Sequence, residues 1–84
     1  MNIENKATKL YLKELAPLQA LKLIHDYRLP SPYREILIAC CINRLDAFSA
    51  IDFLEKEYDI HLGYFTYIRR LKTALTMFRK SHIK

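Results

Sequence analysis

The residues with the clearest chemical potential in this chain are the bases at its C-terminal end. From Ile60 to Lys84 there are six, Arg69, Arg70, Lys72, Arg79, Lys80 and Lys84, and no carboxylate. The preceding stretch, Asp46 to Asp59, holds five acids (Asp46, Asp52, Glu55, Glu57, Asp59) and a single base, Lys56. A solvated surface ordinarily intermixes its signs, so this segregation needs a cause. Guanidinium and ammonium groups neutralise phosphates, and arginine also pairs bidentately with guanine edges. Small hydroxyls among the bases, Thr66 and Thr73, allow close approach to a base or phosphate, and Tyr67 can donate to a phosphate. The pattern predicts a DNA contact made by Thr66, Tyr67, Arg69, Arg70, Lys72 and Thr73, with Arg79 and Lys80 holding the backbone. The competing account is a solvated cationic face whose final bases complement the helix dipole.

No other set of residues points to catalysis. His25, His61 and His82 lack the spacing, to one another or to a carboxylate, of a helical metal pair. The acids Asp52, Glu55, Glu57 and Asp59 suit the solubilising outer face of a helix. No glycine-rich phosphate loop, nucleophile elbow or zinc pattern occurs, so the expectation is a protein that is not an enzyme and needs no cofactor or metal. Cys40 and Cys41 are adjacent, which is poor geometry for a disulfide. They read as small buried apolar residues in a reducing compartment. Met1 to Lys13 lacks the apolar segment of a signal peptide, and the longest apolar run, Ile36 to Ile42, is far short of a membrane span. A cytoplasmic protein with no membrane partner is expected.

The elements that must position the bases follow from apolar spacing and from proline. With 84 residues, a net charge of +5, one glycine and three prolines, the chain suits a single helical domain better than a sandwich or barrel with many tight turns. Leu10, Leu12 and Leu15, interleaved with Lys6, Lys9 and Lys13, mark a short helix from about Asn5 to Leu15. Pro17 opens a second, to about Tyr27, with Leu18, Leu21 and Ile24 on one face. Leu29-Pro30-Ser31-Pro32 is the clearest break, and Ser31 is placed to cap a third helix from Pro32 to about Arg44. Its apolar residues reach almost all the way round, so it should be central. Asp46 caps a fourth, about Ala47 to Glu57, with Phe48, Ile51, Phe53 and Leu54 inward. Tyr58 to Gly63 connects to the last helix, and Gly63 offers backbone freedom where that helix starts. From Tyr64 to about Lys80, Phe65, Ile68, Leu71, Leu75 and Phe78 make an inward stripe opposite the bases.

Several of these residues together resemble the region 4 helix-turn-helix of sigma-70-type factors: Leu29-Pro30, Tyr33-Arg34-Glu35-Ile36-Leu37, Ile51 and Leu54, then Thr66 through Leu75. The run Thr66-Tyr67-Ile68-Arg69-Arg70-Leu71-Lys72-Thr73-Ala74-Leu75, followed by Phe78, is similar to the end of ArpU- and RinA-type phage transcription regulators. The resemblance spans about Leu29 to Ser81. Apolar spacing already gives an all-α bundle of about five helices, 1–28 supplying the N-terminal helices and 29–84 a tri-helical block; the resemblance makes that block a helix-turn-helix-like unit. It further implies a phage or mobile-element transcription regulator, with Thr66, Tyr67, Arg69, Arg70 and Thr73 facing the major groove and Ile51, Leu54, Ile68, Leu71 and Leu75 in the core. The Glu55 to Gly63 segment is longer than the family's turn, and Asp52 stands where the family favours a small residue. The expected partner is double-stranded DNA, and Leu10, Leu18, Leu21 and Ile24 are either the contact of a homodimer or buried within the monomer. A second reading makes the chain a small phage-type effector that binds RNA polymerase or another host protein through its acidic and basic helices. A third, a helix lying on a membrane surface, requires the Phe65 to Phe78 stripe to be exposed.

Overall fold

Helical spacing and the two proline-marked breaks produce helices and turns, with no strand, across residues 2–83, the part of the chain that the computed structural model describes. Helix α1 covers Ile3–Glu14 and is capped by Asn2, whose side chain accepts from the Asn5 N–H at 2.7 Å. Helix α2, Pro17–Asp26, begins on its proline as expected. Helix α3 is short, Tyr33–Leu37, and continues directly into a π-helical segment, Ile38–Ile42. Helices α4, Ala47–Tyr58, and α5, Tyr64–Ile83, complete the all-α bundle.

Helix α5 lies at the centre. It packs against α1, α3 and α4, and buries Tyr67, Leu71, Ala74, Leu75 and Phe78. Facing them are Leu12 of α1, Ile24 of α2, Ile36 and Leu37 of α3 and Leu54 of α4, all buried. The expected core residues Leu54, Leu71 and Leu75 are therefore in place, and Ile51 and Ile68 are half-buried against the same cluster. Because only Phe65 of the α5 stripe is strongly exposed, the helix keeps no free apolar face with which to lie on a membrane. Among the described residues no helix is long and apolar enough to cross one.

The structure departs from the sequence-based expectations at several points, each for a local reason. The third helix is not one α-helix from Pro32 to Arg44. The Asn43 N–H reaches the Ile38 carbonyl at 3.0 Å, a five-residue step, and Arg44 then turns left-handed at φ 55° so that the Leu45 N–H bonds the Ala39 carbonyl at 3.1 Å. The widened turn carries three small or compact residues, Ala39, Cys40 and Cys41, all buried and enclosed by α1, α2 and α4. Ser31 does not cap α3; Pro32 occupies the cap position and no side chain bonds there. Gly63 does not supply the turn before α5, since no glycine has positive φ. Asp59 does so instead, left-handed at φ 55°, with the Ile60 N–H closing back on the Leu54 carbonyl at 3.1 Å. Phe48 and Phe65, expected inward, stand 74% and 82% exposed. Ile24 is in the core, which removes it from any dimer contact, whereas Leu10, Leu18 and Leu21 are exposed.

Asp46 caps α4 as its position predicts, accepting from the Ser49 N–H at 2.8 Å. Hydrogen bonds from Ser49, backbone first and then side chain, hold its carboxyl below the ordinary aspartate value. A carboxyl whose pKa falls on folding contributes stability above its unfolded pKa and loses it as pH drops through the folded value. Asparagine caps equally well without titrating. Asp46→Asn should therefore melt within a few degrees of the parent near pH 7 and lose less stability than the parent below about pH 4. Parallel acid shifts in thermal melts of the two proteins would refute this role for the cap.

Candidate nucleic-acid interface

The three helices packed on α5 determine which of its bases can meet a partner. Arg69, Arg70, Lys72, Thr73 and Lys80 are exposed, and Thr66 is half-buried. Arg69, Arg70 and Thr73 line a shallow polar cleft of about 270 Å³. The Arg70 guanidinium is oriented by α3, donating to the Tyr33 hydroxyl at 2.8 Å with its carbon 5.8 Å from the Tyr33 ring centre. Holding a long side chain in this way lowers the entropy lost when it pairs with a phosphate. The Thr73 hydroxyl turns back to donate to the Arg69 carbonyl at 3.2 Å, leaving its oxygen lone pairs and methyl outward.

Two of the expected contact residues are elsewhere. Tyr67 is 1% exposed and cannot face a groove. It points into the core at the π segment, where burial first and the neighbouring Cys40 second push its hydroxyl pKa up. Period and charge favour the outside for a tyrosine flanked by Thr66 and Ile68, but the π segment, with Cys40 and Cys41, lies on that side of α5. Arg79 is held by Glu4 of α1 in an ion pair and keeps 22% of its side chain exposed. It braces α1 to α5 instead of presenting a free charge. Asn5 fastens the same crossing: its amide donates to the Lys72 carbonyl at 3.4 Å and its oxygen accepts from Thr76 at 3.3 Å. With α1 laid across Thr76 and Arg79, the accessible part of α5 is mainly its N-terminal half, the half that usually reads bases in recognition helices.

The same crossing brings in cations that the C-terminal charge count overlooked. Lys9 and Lys13 of α1 and Arg44 after the π segment line, together with the carboxylate-bearing Asp46, a groove of about 290 Å³ whose α5 wall includes Ile68 and Leu71. Arg44 donates to the Lys13 carbonyl, which ties the two segments together. Lys72 and then Arg69 are the next positions outward round α5, so the positive surface runs from α1 across to the basic helix. Among the described residues, none of Lys9, Lys13, Arg44, Arg69, Arg70 and Lys72 has a carboxylate ion-pair partner. Arg44 sits in a left-handed conformation that costs a non-glycine residue about 1 kcal/mol. At the floor of the groove the adjacent Cys41 thiol, and after it Lys9 and Lys13, lower the Cys40 thiol pKa against the opposing effect of burial. The sequence signal for this half of the face was present as Lys6, Lys9 and Lys13 at helical spacing, but nothing local shows that α1 packs beside α5.

The acids on and after α4 lie outside that groove, except the cap residue Asp46, which lines it. Asp52, Glu55, Glu57 and Asp59 are exposed on and just after α4, and Asp52 pairs with Lys56 at 3.0 Å instead of packing against α5. His61 lies 2.8 Å from Asp59 and 3.8 Å from Glu55, so it belongs to the acidic side. Among the described residues no three His, Cys, Asp or Glu side chains gather as a metal site would need.

The fold and site together define a small all-helical protein with exposed bases on α5 and a second set, Lys9, Lys13 and Arg44, lining a groove against the same helix. Compared with known protein families, curated proteins and solved structures, the chain has no significant match.

Proposed function

We propose that this protein binds double-stranded DNA through the composite face formed by Lys9, Lys13 and Arg44 with Arg69, Arg70, Lys72 and Thr73, and that it acts as a transcription regulator. The observation that carries the reading is that Lys9, Lys13 and Arg44 line one groove against α5, whose own Arg69, Arg70 and Lys72 are exposed, and that none of these bases is ion-paired among the described residues. Unneutralised charges gathered this way repel one another in the free protein, and a polyanion relieves that repulsion. The shape favours backbone docking, with base contacts confined to Thr66, Arg69, Arg70 and Thr73 at the accessible half of α5. Exposed Leu10, Leu18 and Leu21 remain as apolar contacts for a second copy.

The test is duplex binding over a salt series, wild type against Arg69→Ala/Arg70→Ala. The double variant should weaken binding on the order of 10²-fold at 0.1 M salt and flatten the log–log salt slope by about 2. A wild type with no duplex affinity at low salt ends this reading. The exposed acids of α4 then favour the other one, an effector whose two charged sides dock a host protein such as RNA polymerase.

A further inference from the structure

Three of the exposed aromatic side chains stand together. Phe48, at the start of α4, is 74% exposed, and Tyr64 and Phe65, at the start of α5, are 41% and 82% exposed. They form one ridge: the Phe48 and Tyr64 rings stack at 5.2 Å with 25° between planes, and Tyr64 meets Phe65 edge-on at 5.4 Å and 82°. The outer faces of Phe48 and Phe65 are left open. The ridge also adjoins the cationic groove. Ala47 and Ile68 line that groove together with Lys9, Lys13, Arg44 and one acid, Asp46, whose carboxylate is already engaged in capping α4; Phe48 follows Ala47 directly, and Tyr64 lies one helical turn before Ile68. On the other side, Phe65 is one turn before Arg69.

The geometry points to single-stranded nucleic acid as the occupant of this ridge: unpaired bases stack on Phe48 and Phe65 while the adjoining phosphates run along Arg44, Lys13 and Lys9. This rests on the reading of the cationic face as a nucleic-acid surface and names the form of nucleic acid that reaches its aromatic end. Two observations favour it over a plain apolar contact. Open ring faces beside unpaired cations are the arrangement by which proteins hold single strands, because every base has a π-face and every nucleotide carries one charge. A duplex offers no such face, since its bases are stacked on one another, so the ridge is wasted on paired DNA unless a base is unstacked. An apolar protein partner would instead be seated beside a row of bases that it does not neutralise.

The experiment measures anisotropy of labelled 15-nucleotide oligo-dT, oligo-rU and a 15-base-pair duplex, with three proteins: wild type, Phe48→Leu/Phe65→Leu, and Arg69→Ala/Arg70→Ala. Leucine keeps most of the apolar area and removes the rings, and both positions are exposed, so the variant should fold; circular dichroism and a thermal melt verify this. At about 1–3 kcal/mol per stacked base, the leucine variant should lose on the order of 10–10³-fold for the single strands and stay within about threefold for the duplex. Equal loss on dT and rU marks stacking on any single strand, and a larger loss on one of them identifies that polymer as the ligand; either supports the proposal. Wild type that binds single strands through the ridge but not the duplex keeps this inference and ends the duplex reading. A leucine variant that binds both single strands like wild type overturns it, whether or not the duplex is bound, and leaves the ridge to a protein partner. So does a variant that loses duplex and single strand alike.

Discussion

Truncating Tyr67 to alanine should collapse the fold, not weaken a folded protein's hold on DNA. The ring is 1% exposed and packs into the cluster of Leu71, Leu75, Cys40 and Cys41 that joins α5 to the π segment. Removing a buried aromatic side chain costs roughly 3–5 kcal/mol, through lost transfer energy and the cavity left behind. A chain of 84 residues holds only about 4–13 kcal/mol in total at 0.05–0.15 kcal/mol per residue, so this one change removes a large share. The melting temperature should fall by on the order of 20 °C. Tyr67→Phe supplies the control, because it keeps the ring and removes only a hydroxyl that the neighbouring Cys40 contacts; its cost should be about 1 kcal/mol. A residue facing a DNA groove would behave the opposite way, with Tyr67→Ala melting near the parent and losing affinity. Circular dichroism melts of the three proteins decide it, and an alanine variant within about 5 °C of the parent would contradict the burial.

Tyr67 also shows where sequence reading stops. The inward positions Leu71, Leu75 and Phe78 were legible because apolar residues at steps of three and four can satisfy only one face of a helix. A tyrosine is amphipathic and fits either side, and its place depends on how wide the buried arc is. Helix α5 is clamped by three elements instead of the two expected, and its buried arc extends to Tyr67. Phe48 and Phe65 went wrong in the other direction. Their type and spacing place them in a core, yet each is near the first turn of its helix, beyond the reach of the packed layer. The Asp46 cap was readable from a side chain three residues before the N–H it accepts, whereas Asn2, which caps α1 in the same way, was missed because the apolar spacing begins only after it. Caps were not readable where the backbone closes on itself, at Arg44 and Asp59, which are left-handed without being glycine. The site follows the same rule. Its α5 half was visible as a run of bases, and its α1 half depends on a contact between residues about seventy positions apart, such as Asn5 with Thr76.

That long-range half gives the largest effect expected on binding. Replacing Lys9, Lys13 and Arg44 together, as Lys9→Gln, Lys13→Gln and Arg44→Asn, should weaken duplex binding more than the Arg69→Ala/Arg70→Ala pair does. Asparagine is chosen at position 44 because it tolerates the left-handed backbone while removing the charge. Each phosphate neutralised on a duplex contributes about 0.9 to the slope of log affinity against log salt. Three lost contacts should flatten that slope by about 2.7 and lower affinity by on the order of 10²–10³-fold at 0.1 M salt. None of the three bases is ion-paired among the described residues, so their removal breaks no salt bridge; Arg44→Asn does remove the hydrogen bond to the Lys13 carbonyl, and a thermal melt of the triple variant verifies that it is folded at the binding temperature. If DNA is instead held by α5 alone, in the manner of an isolated recognition helix, the triple variant keeps the wild-type slope and only the Arg69 and Arg70 pair matters. The two slopes, taken over the same salt range, thus separate a composite face, in which α1 was brought to α5 by Asn5 and Glu4 for a binding purpose, from a buttress that only stiffens the helix.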